Sequence, residues 1–264
     1  MTVREVGELM ESRLAPLDAQ ESYDNAGLQA GDPAAEVTGI LVCLDVSEAV
    51  IDEAVEKGCN LIVSHHPLLF RGIKSLVGKN AVERCLIKSI QRGIAVYSAH
   101  TNADSVWKGV SGRMCEQLGL KPLGFLQPSS VPTEGWATGL GMTGEFDAPL
   151  SEQDFLGLVK RCFRCDILRH TALTGRSVKR VALCGGAGSD LLEAAVAAGA
   201  DAFLTADVRY HEFIQADGRL LFVDAGHYET EQYTKELFAG FLSENISTFA
   251  VRISEREVCP VRYF

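Results

Sequence analysis

Long hydrophobic runs are missing from this sequence. No apolar stretch approaches the roughly 18 residues that a membrane-spanning helix requires. Residues 1–10 carry charged side chains where a signal peptide would have an apolar segment. We therefore expect a cytoplasmic protein without a membrane partner.

An excess of positive charge is also missing. The chain has 25 Lys and Arg residues against 35 Asp and Glu residues, so its net charge is −10. A protein that binds nucleic acid by neutralising phosphates needs the opposite balance, so we do not expect a nucleic-acid partner. A nucleotide or another small phosphorylated substrate stays open, because a few local cations can hold one phosphate chain.

Paired cysteine motifs are scarce. The 8 cysteines lie mostly within apolar segments, which is typical of buried, reduced thiols. The lone CxxC, formed by Cys162 and Cys165, has no second pair, and it continues a helical pattern that begins at Glu152. We interpret these cysteines as structural rather than as a zinc or redox site.

An internal repeat divides the sequence into two similar halves. Each copy has an apolar strand, a helix that stops at a glycine (Gly58 or Gly199), and a second apolar strand. A shared period without common ancestry is the alternative explanation. The matching segments are 40–43 with 181–184, 49–55 with 190–196 and 61–64 with 202–205, all at the 141-residue offset that separates Cys43 from Cys184.

The repeat resumes after a length change and predicts the fold. Residues 94–100 match 221–227 at an offset of 127 residues, which pairs His100 with His227 and Asp104 with Glu231. We predict an α/β protein of two similar α/β/α lobes that arose by internal duplication, with largely parallel or mixed sheets. The predicted lobes are residues 1–127 and 128–264, and the C-terminal strand is a candidate to return to the first lobe.

The segment between the copies, residues 121–149, is rich in Gly and Pro and is predicted to be a loop or linker. It includes the run 126–132, with prolines at 128 and 132. A strand-like stretch at 136–146 follows that run. A helix is then predicted to begin at Ser151, with Asp154 in the position of a capping partner.

His65 and His66 stand where an apolar strand must stop, just before Pro67. Adjacent residues of a regular strand point to opposite faces, so the two imidazoles converge only if the strand ends there. Otherwise each serves a different metal, or the pair is held only by hydrogen bonds. Functional residues of parallel sheets gather at such strand ends.

The remaining donors lie at matching strand ends of the two copies. His227 and Glu231 are four residues apart at a predicted helix start and share one face. One assignment puts His65 and Asp104 on one ion, His66 and His227 on another, with Glu231 as a bridge. Imidazole and carboxylate donors suit Zn, Fe, Mn or Ni, so we expect one or two such ions.

Other polar residues have weaker assignments. His100 is either an outer partner of a ligand or a general base, and His100 and Glu231 are the catalytic candidates. His211 either lines the same cleft or is a surface histidine, and Arg71 and Lys74 either neutralise phosphates or are solvated surface charges. The substrate-binding candidates are Asp24, Asn25, Arg71, Lys74 and His211.

Seven motifs in this order resemble the GTP cyclohydrolase 1 type 2 homologues, also called the NGG-interacting factor three-like proteins. Two positions differ from the usual family sequence. A Trp is frequent where this chain has Tyr23, and a Gly is frequent where it has the Ala of Thr-Ala-Asp (205–207). The motifs are Tyr-Asp-Asn-Ala-Gly-Leu (23–28), Ser-His-His-Pro-Leu-Leu-Phe (64–70), Ser-Ala-His-Thr-Asn-Ala-Asp (98–104), Gly-Leu-Gly-Met-Thr-Gly-Glu (139–145), Leu-Cys-Gly-Gly-Ala-Gly (183–188), Thr-Ala-Asp-Val-Arg-Tyr-His (205–211) and Gly-His-Tyr-Glu-Thr-Glu (226–231).

The resemblance implies two α/β lobes with a metal site in the cleft between them, and a homohexameric ring. The implied site is dinuclear, with two divalent or trivalent ions per chain. The positions that match the family's metal ligands are His65, His66, Asp104, His227 and Glu231. The family name implies hydrolytic opening of the GTP imidazole ring at C8 with release of formate. Another metal-dependent (phospho)hydrolase, or a non-enzymatic metal-binding scaffold or regulator, is the alternative.

Overall fold

The computed structural model describes residues 1–131 and 133–264. Pro132, in the predicted loop between the two copies, lies outside the described residues. The strands are β1 (Gly27–Ala30), β2 (Gly39–Cys43), β3 (Leu61–Ser64), β4 (Ala95–Ser98), β5 (Lys121–Pro128), β6 (Gly139–Leu150), β7 (Arg169–His170), β8 (Val178–Ala187), β9 (Ala202–Ala206), β10 (Leu221–Asp224) and β11 (Ala250–Ile253).

Helices alternate with the central strands of each copy. Short 3₁₀ helices form at Leu17–Ala19 and Ser189–Leu191. The α-helices are α1 (Val3–Arg13), α2 (Glu48–Glu56), α3 (Ala81–Gln91), α4 (Thr101–Asp104), α5 (Val110–Leu118), α6 (Glu152–Phe163), α7 (Leu192–Ala197), α8 (Tyr210–Gln215), α9 (His227–Glu231) and α10 (Thr234–Asn245).

The chain forms two compact units, each with one sheet. The first unit comprises Met1–Ala103 and Thr234–Arg262, and the second comprises Asp104–Tyr233 and Tyr263–Phe264. Both units have helices against the two faces of their sheet, so the predicted class of two α/β/α units is confirmed. The ranges 1–127 and 128–264 stay a prediction of domain organisation.

The sheet of the first unit has the order β1-β4-β3-β2-β11. Only β1 runs antiparallel to its neighbour; the other pairs are parallel. On one face Leu41 packs with Ile51 of α2 and Leu86 of α3, all buried. On the other face the hydroxyl of Tyr97 donates to Glu11 of α1 at 3.1 Å, and α10 packs beside β2 and β11.

The sheet of the second unit has the order β5-β6-β8-β9-β10-β7. The central strands β8, β9 and β10 are parallel, and the flanking strands are antiparallel. One face buries Leu183 against Met114 of α5 and Phe155 of α6. The other face stacks Phe203 on Phe222, with ring centroids 5.2 Å apart and planes 4° apart. This sheet is therefore mixed, as the sequence predicted.

The first two strands of each copy pair in the same register. Ile40 of β2 lies opposite Leu61 of β3, and Val181 of β8 lies opposite Ala202 of β9. Val181 lies 141 positions after Ile40, and Ala202 lies 141 positions after Leu61, which is the offset found in the sequence. Common register as well as common sequence pattern supports a duplication.

The third strand departs from the sequence alignment by one residue. Ser64 lies opposite Ser98 in the first copy, whereas Thr205 lies opposite Asp224 in the second. The offset within the strands is therefore 126, from Ser98 to Asp224, and not the predicted 127. The extra residue of the second copy comes after the strand, where Gly226 adopts a φ of 91° that glycine tolerates best.

The loop predicted in the segment 121–149 is wrong for residues 121–128, whereas the strand-like stretch predicted at 136–146 is confirmed by β6. Residues 121–128 form β5, which lies at the edge of its sheet and pairs with β6. Pro122 and Pro128 are compatible with this strand because an edge strand leaves one side of its backbone unpaired. The predicted helix start is confirmed, since the Ser151 side chain accepts the backbone N–H of Asp154.

The lack of long apolar segments in the sequence agrees with the helices of the structure. Among residues 1–131 and 133–264, no helix is long and apolar enough to cross a membrane. The cysteines of the chain are free thiols. In the CxxC segment, the Cys165 thiol donates to the Ala225 carbonyl at 3.3 Å, and burial raises the pKa of this thiol to about 12.

Candidate metal centre

The first unit gathers polar side chains at the carboxyl ends of three parallel strands. Asp45 follows β2, His65 and His66 follow β3, and His100 follows β4. Side chains that follow neighbouring parallel strands come to the same edge of the sheet, which is where α/β folds bind ligands.

The three histidines form one group. The ligand atoms of His65, His66 and His100 lie within 4.8 Å of one another. Their ring centroids are separated by 5.0 Å, 5.3 Å and 5.6 Å. The rings of the adjacent pair, His65 and His66, thus lie close together just beyond the end of β3. His65 is fully buried, and its ring contacts Phe238 of the same unit at 6.3 Å.

Oxygen acceptors fix the rings of the adjacent histidines. Nδ1 of His65 lies 2.8 Å from the Ala99 carbonyl, and Nδ1 of His66 lies 2.8 Å from Oδ1 of Asp45. A carbonyl or an ionised carboxylate only accepts, so Nδ1 carries the proton in both rings. The Nε2 atom is then the basic nitrogen of each ring, as metal coordination requires.

Asp24 holds His100 in the same way. Its carboxylate accepts Nδ1–H of His100 at 2.8 Å, and the backbone N–H and hydroxyl of Thr101 at 3.0 Å and 2.5 Å. Burial alone would raise the pKa of Asp24, but the hydrogen bonds from His100 and Thr101 outweigh it and hold the pKa well below its usual value. Asp24, predicted from the sequence to bind substrate, therefore lies with its side chain buried against His100.

The second unit carries a histidine and a glutamate on one helical turn. Nε2 of His227 lies 3.0 Å from Oε2 of Glu231, and Nδ1 of His227 lies 2.8 Å from Oδ2 of Asp207, just after β9. Burial lowers the pKa of His227, but its hydrogen bonds to Asp207 and Glu231 dominate and raise that pKa to about 11. Nδ1 of His227 thus contacts an oxygen acceptor, as Nδ1 does in the imidazoles of the first unit.

A second carboxylate lies near Glu231. Oxygens of Asp104 and Glu231 lie within 4.8 Å of each other, and both charges add to the effect of burial in raising the pKa of the Cys184 thiol. Gly186 makes room for this arrangement, because a Cβ there would lie 2.2 Å from Oε1 of Glu231. Two carboxylates at this separation repel each other unless a proton or a cation lies close by.

Each of the two units offers side chains whose chemistry suits a metal ion. His and Glu side chains of the chain form groups that could hold one. Imidazole nitrogens with carboxylate oxygens suit Zn, Fe, Mn or Ni better than Mg or Ca. The fixed Nδ1 contacts give each ring the outer partner that metal-ligating histidines ordinarily have.

The weaker sequence candidates have different environments. The Asn25 amide donates to the Leu69 carbonyl at 2.6 Å, and Arg71 and Lys74 are exposed. His211 is also exposed, and its ring contacts that of Tyr210 at 5.2 Å. Within the described part of the chain, His211 belongs to none of the groups that could hold a metal.

Two outer partners escaped the sequence reasoning. Asp45 and Asp207 each accept Nδ1–H of a candidate ligand, yet neither was singled out. Both follow a parallel strand directly or within two residues, which is the signal used for the histidines. Asp207 also occupies the repeat position of His66, at the offset of 141 residues.

A family model matches nearly the whole chain. The model described as Duf34/NIF3 (NGG1p interacting factor 3) covers residues 1–260. A "GTP cyclohydrolase 1 type 2 homolog" of Clostridium acetobutylicum is 30% identical over 269 residues, with 100% of this chain and 99% of the relative covered. One from Streptomyces coelicolor is 35% identical over 235 residues, with 88% and 82% covered. The resemblance seen in the sequence is confirmed.

Solved structures share the fold. A Staphylococcus aureus protein superimposes with a TM-score of 0.90 at 27% identity, covering 100% of this chain and 99% of its own. Reduced HcgD from Methanocaldococcus jannaschii superimposes with a TM-score of 0.77 at 29% identity, covering 96% and 97%. Both similarities extend over the two units of the chain.

Proposed function

The chain belongs to the Duf34/NIF3 family, and we propose that it is a metal-dependent hydrolase acting on a nucleotide. The observation that carries the proposal is the common orientation of four imidazoles, each with Nδ1 2.8 Å from an oxygen acceptor. Metal-ligating histidines in proteins almost always donate their other ring N–H to a carboxylate or carbonyl oxygen in this manner. These histidines are His65, His66, His100 and His227.

Two divalent or trivalent ions per chain are proposed. His65 and Asp104 would hold one ion, His66 and His227 would hold the other, and Glu231 would contribute to both. Donor chemistry and the family resemblance support this division. Single variants test it by metal analysis: His66→Ala and His227→Ala should each lose the same one ion, while His65→Ala loses the other. Loss of unrelated amounts of metal would refute the division.

The proposed reaction hydrolyses the imidazole ring of GTP at C8, releases that carbon as formate and gives dihydroneopterin triphosphate, with a net consumption of one water. Bound cations would supply a hydroxide nucleophile at neutral pH, because coordination lowers the pKa of water from about 15.7 toward ~7. His100 moves a proton at Nε2, while Asp24 holds its Nδ1–H and keeps the ring oriented. Glu231 orients the reacting groups through its carboxylate. The names of the relatives support this choice of substrate.

The role of His100 is testable apart from the reaction itself. If His100 carries a proton, the His100→Ala variant keeps its full metal content and loses turnover. If His100 is a ligand, the variant loses metal as well. Metal content and turnover measured on the same preparation distinguish the two roles.

The assembly proposed with this function is a cytoplasmic homohexamer. The family resemblance supports it, and a phosphorylated small molecule is the proposed partner. Light scattering on the purified chain measures the particle mass directly. A monomeric mass at working concentrations would refute the hexamer and leave the proposed reaction to its own test.

The decisive experiment combines metal analysis of the untagged protein with GTP turnover, followed by formate release and pterin fluorescence. The test variant is the double substitution His65→Ala, His66→Ala. The control is His170→Ala, which removes an exposed imidazole outside all of the candidate site residues. Turnover that is lost in the first and kept in the second supports the proposal.

Other outcomes are equally informative. Metal without GTP turnover would retain the metal centre and refute GTP as substrate, so other nucleotides and phosphoesters would follow. Glu231→Gln with metal retained then separates a hydrolase from a scaffold, because only a hydrolase loses a catalysed reaction. Absence of metal from the unmodified protein would refute the whole proposal.

A further inference from the structure

Two aromatic rings stand exposed beside the histidine group of the first unit. Tyr23 is 64% exposed and Phe70 is 43% exposed. The ring centroid of Phe70 lies 6.0 Å from that of His100 with the planes at 90°, and Tyr23 lies 6.4 Å from Phe70 at 70°. In an edge-on pair the edge of one ring meets a face of the other, and both rings here still keep a large exposed surface that a planar ligand can contact.

The backbone next to Tyr23 is fixed through Asp24. Its neighbour Asp24 has a buried carboxylate that accepts hydrogen bonds from His100 and Thr101. Moving Tyr23 away from the histidines would pull this carboxylate out of its partners. The tyrosine ring is therefore held near His100 by a residue that does not itself face solvent.

The backbone next to Phe70 is fixed by a separate set of hydrogen bonds. The N–H of Leu69 donates to Oε1 of Gln29 at 3.1 Å, and its carbonyl accepts from the Asn25 amide at 2.6 Å. The Gln29 amide in turn donates to the Asn25 carbonyl at 2.6 Å. Asn25, predicted to contact substrate, thus joins the two loops that carry the aromatic rings.

The segment that follows Phe70 is positively charged. Residues 68–79 contain Arg71, Lys74 and Lys79 and no carboxylate, in a chain whose net charge is −10. Arg71 and Lys74 are exposed, whereas Lys79 donates to the Ser75 hydroxyl. Exposed cations beside exposed aromatic rings suit a ligand that has both a planar ring and an anionic group.

We infer that Tyr23 and Phe70 form a ring subsite that stacks on the heteroaromatic ring of a phosphorylated ligand, with Arg71 and Lys74 toward its phosphates. The inference rests on the proposed function, because it names the part of the first unit that recognises the nucleotide. Asp24 and Asn25 position this ring subsite and do not contact the ligand. Phosphate contacts give affinity to many ligands, whereas the ring subsite selects those with an aromatic ring.

Calorimetric binding to the full-length, metal-loaded chain tests the inference, with GTP and inorganic triphosphate as the two probes. The test variant is the double substitution Tyr23→Leu, Phe70→Leu, which keeps apolar bulk and removes both rings. Tyr210→Leu is the matched control, because Tyr210 is 75% exposed. The unmodified chain should bind GTP at least about tenfold more tightly than triphosphate, since base stacking has this order of effect.

The double variant should lose that preference and keep its affinity for triphosphate, and the control should keep both. Binding is read independently of turnover. Suppose that the unmodified chain prefers GTP over triphosphate but does not convert it, and that the double variant loses this preference. The proposed reaction would then be refuted, and the ring subsite would be retained.

Three results would overturn the inference. The first is an unmodified chain that binds GTP no more tightly than triphosphate, including one that binds neither. The second is a double variant that retains the full preference. The third is a change in particle mass by light scattering in the double variant, which would show that the rings fill a contact between copies of the chain.

Discussion

The Glu257 side chain fixes the backbone of Asp45. Its Oε1 accepts the N–H of Asp45 at 2.8 Å and that of Leu44 at 2.9 Å, and Lys235 pairs with its Oε2 at 2.9 Å. Asp45 in turn accepts Nδ1–H of His66. A residue that follows β11 therefore positions the partner of a candidate metal ligand at the end of β2, within the same unit.

Replacing Asp45 should weaken metal binding without unfolding the protein. Asp45→Ala removes the acceptor that holds the His66 ring, and loss of such an outer partner typically costs about 10- to 100-fold in metal affinity. Competition with a chromogenic chelator measures the change. Glu8→Ala is the control, since it removes an equal charge from an exposed helical position. Equal affinity in both variants would contradict the role assigned to Asp45.

Replacing Gly186 with a larger residue should displace the carboxylate of Glu231. A Cβ at Gly186 would lie 2.2 Å from Oε1 of Glu231, and its φ is +58°. Gly218 has a similar φ of +66° with nothing within 4 Å of an added Cβ. Both alanine variants should lose about 1–2 kcal/mol of stability through backbone strain.

Only Gly186→Ala should also lose bound metal, because it alone displaces Glu231. Chemical denaturation and metal analysis on the two variants separate strain from displacement. Full metal content in Gly186→Ala, at the same stability as Gly218→Ala, would show that Glu231 does not need this space.

The stability of the first unit should fall in acid through Glu53. Burial raises the pKa of this carboxyl, but hydrogen bonds from Lys57, Ser254 and the backbone of Glu255 and Arg256 prevail, and the pKa falls from 4.5 to about 2. A carboxyl with a depressed pKa in the folded state stabilises that state above its unfolded pKa and loses the effect as pH falls through the folded value. The window is therefore pH 4.5 to 2.

Glu53→Gln tests this effect. At pH 7 the variant should be about 1–3 kcal/mol less stable, because an amide cannot accept all of these hydrogen bonds. The difference from the unmodified protein should shrink between pH 4.5 and 2. Urea unfolding at several pH values measures it, with Glu8→Gln as an exposed control. A difference that is independent of pH would exclude Glu53 as the titrating group.

The stacked pair Phe203 and Phe222 should be a major source of stability in the second unit. Both rings are fully buried. Phe203→Ala leaves a cavity beside Phe222 and should cost about 3–5 kcal/mol. Tyr210→Ala, at an exposed position, should change stability by less than about 0.5 kcal/mol. Denaturant unfolding followed by circular dichroism compares the two, and a similar small loss in both would mean that the site repacks.

Much of the fold could be read from local patterns. Each central strand is a short apolar run, and α2 and α7 are each followed by a glycine of positive φ, Gly58 and Gly199. The duplicated strand–helix–strand pattern also predicted parallel pairing, because a helical crossover returns the chain in the same direction. The strand ends then indicated where His65, His66 and His100 would lie.

The edges and partners depended on contacts between distant residues. The prolines at 122 and 128 suggested a loop, and only the pairing of β5 with β6 at a sheet edge makes them compatible with a strand. The one-residue shift before His227 could not be predicted from the sequence, because Gly226 lies after β10 and outside its pairing with β9. Only the backbone hydrogen bonds between these two strands reveal their register.

The duplication, the α/β class and the set of side chains that can bind metal were predictable from the sequence, because they follow from periodicity and from residue type at strand ends. The oxygen that holds each imidazole was not predictable and depends on the packing of the folded chain. Asp24 reaches His100 over 76 positions and Asp207 reaches His227 over 20. A hydrogen bond depends on an approach within about 3 Å, and no local pattern encodes which distant carboxylate will make it.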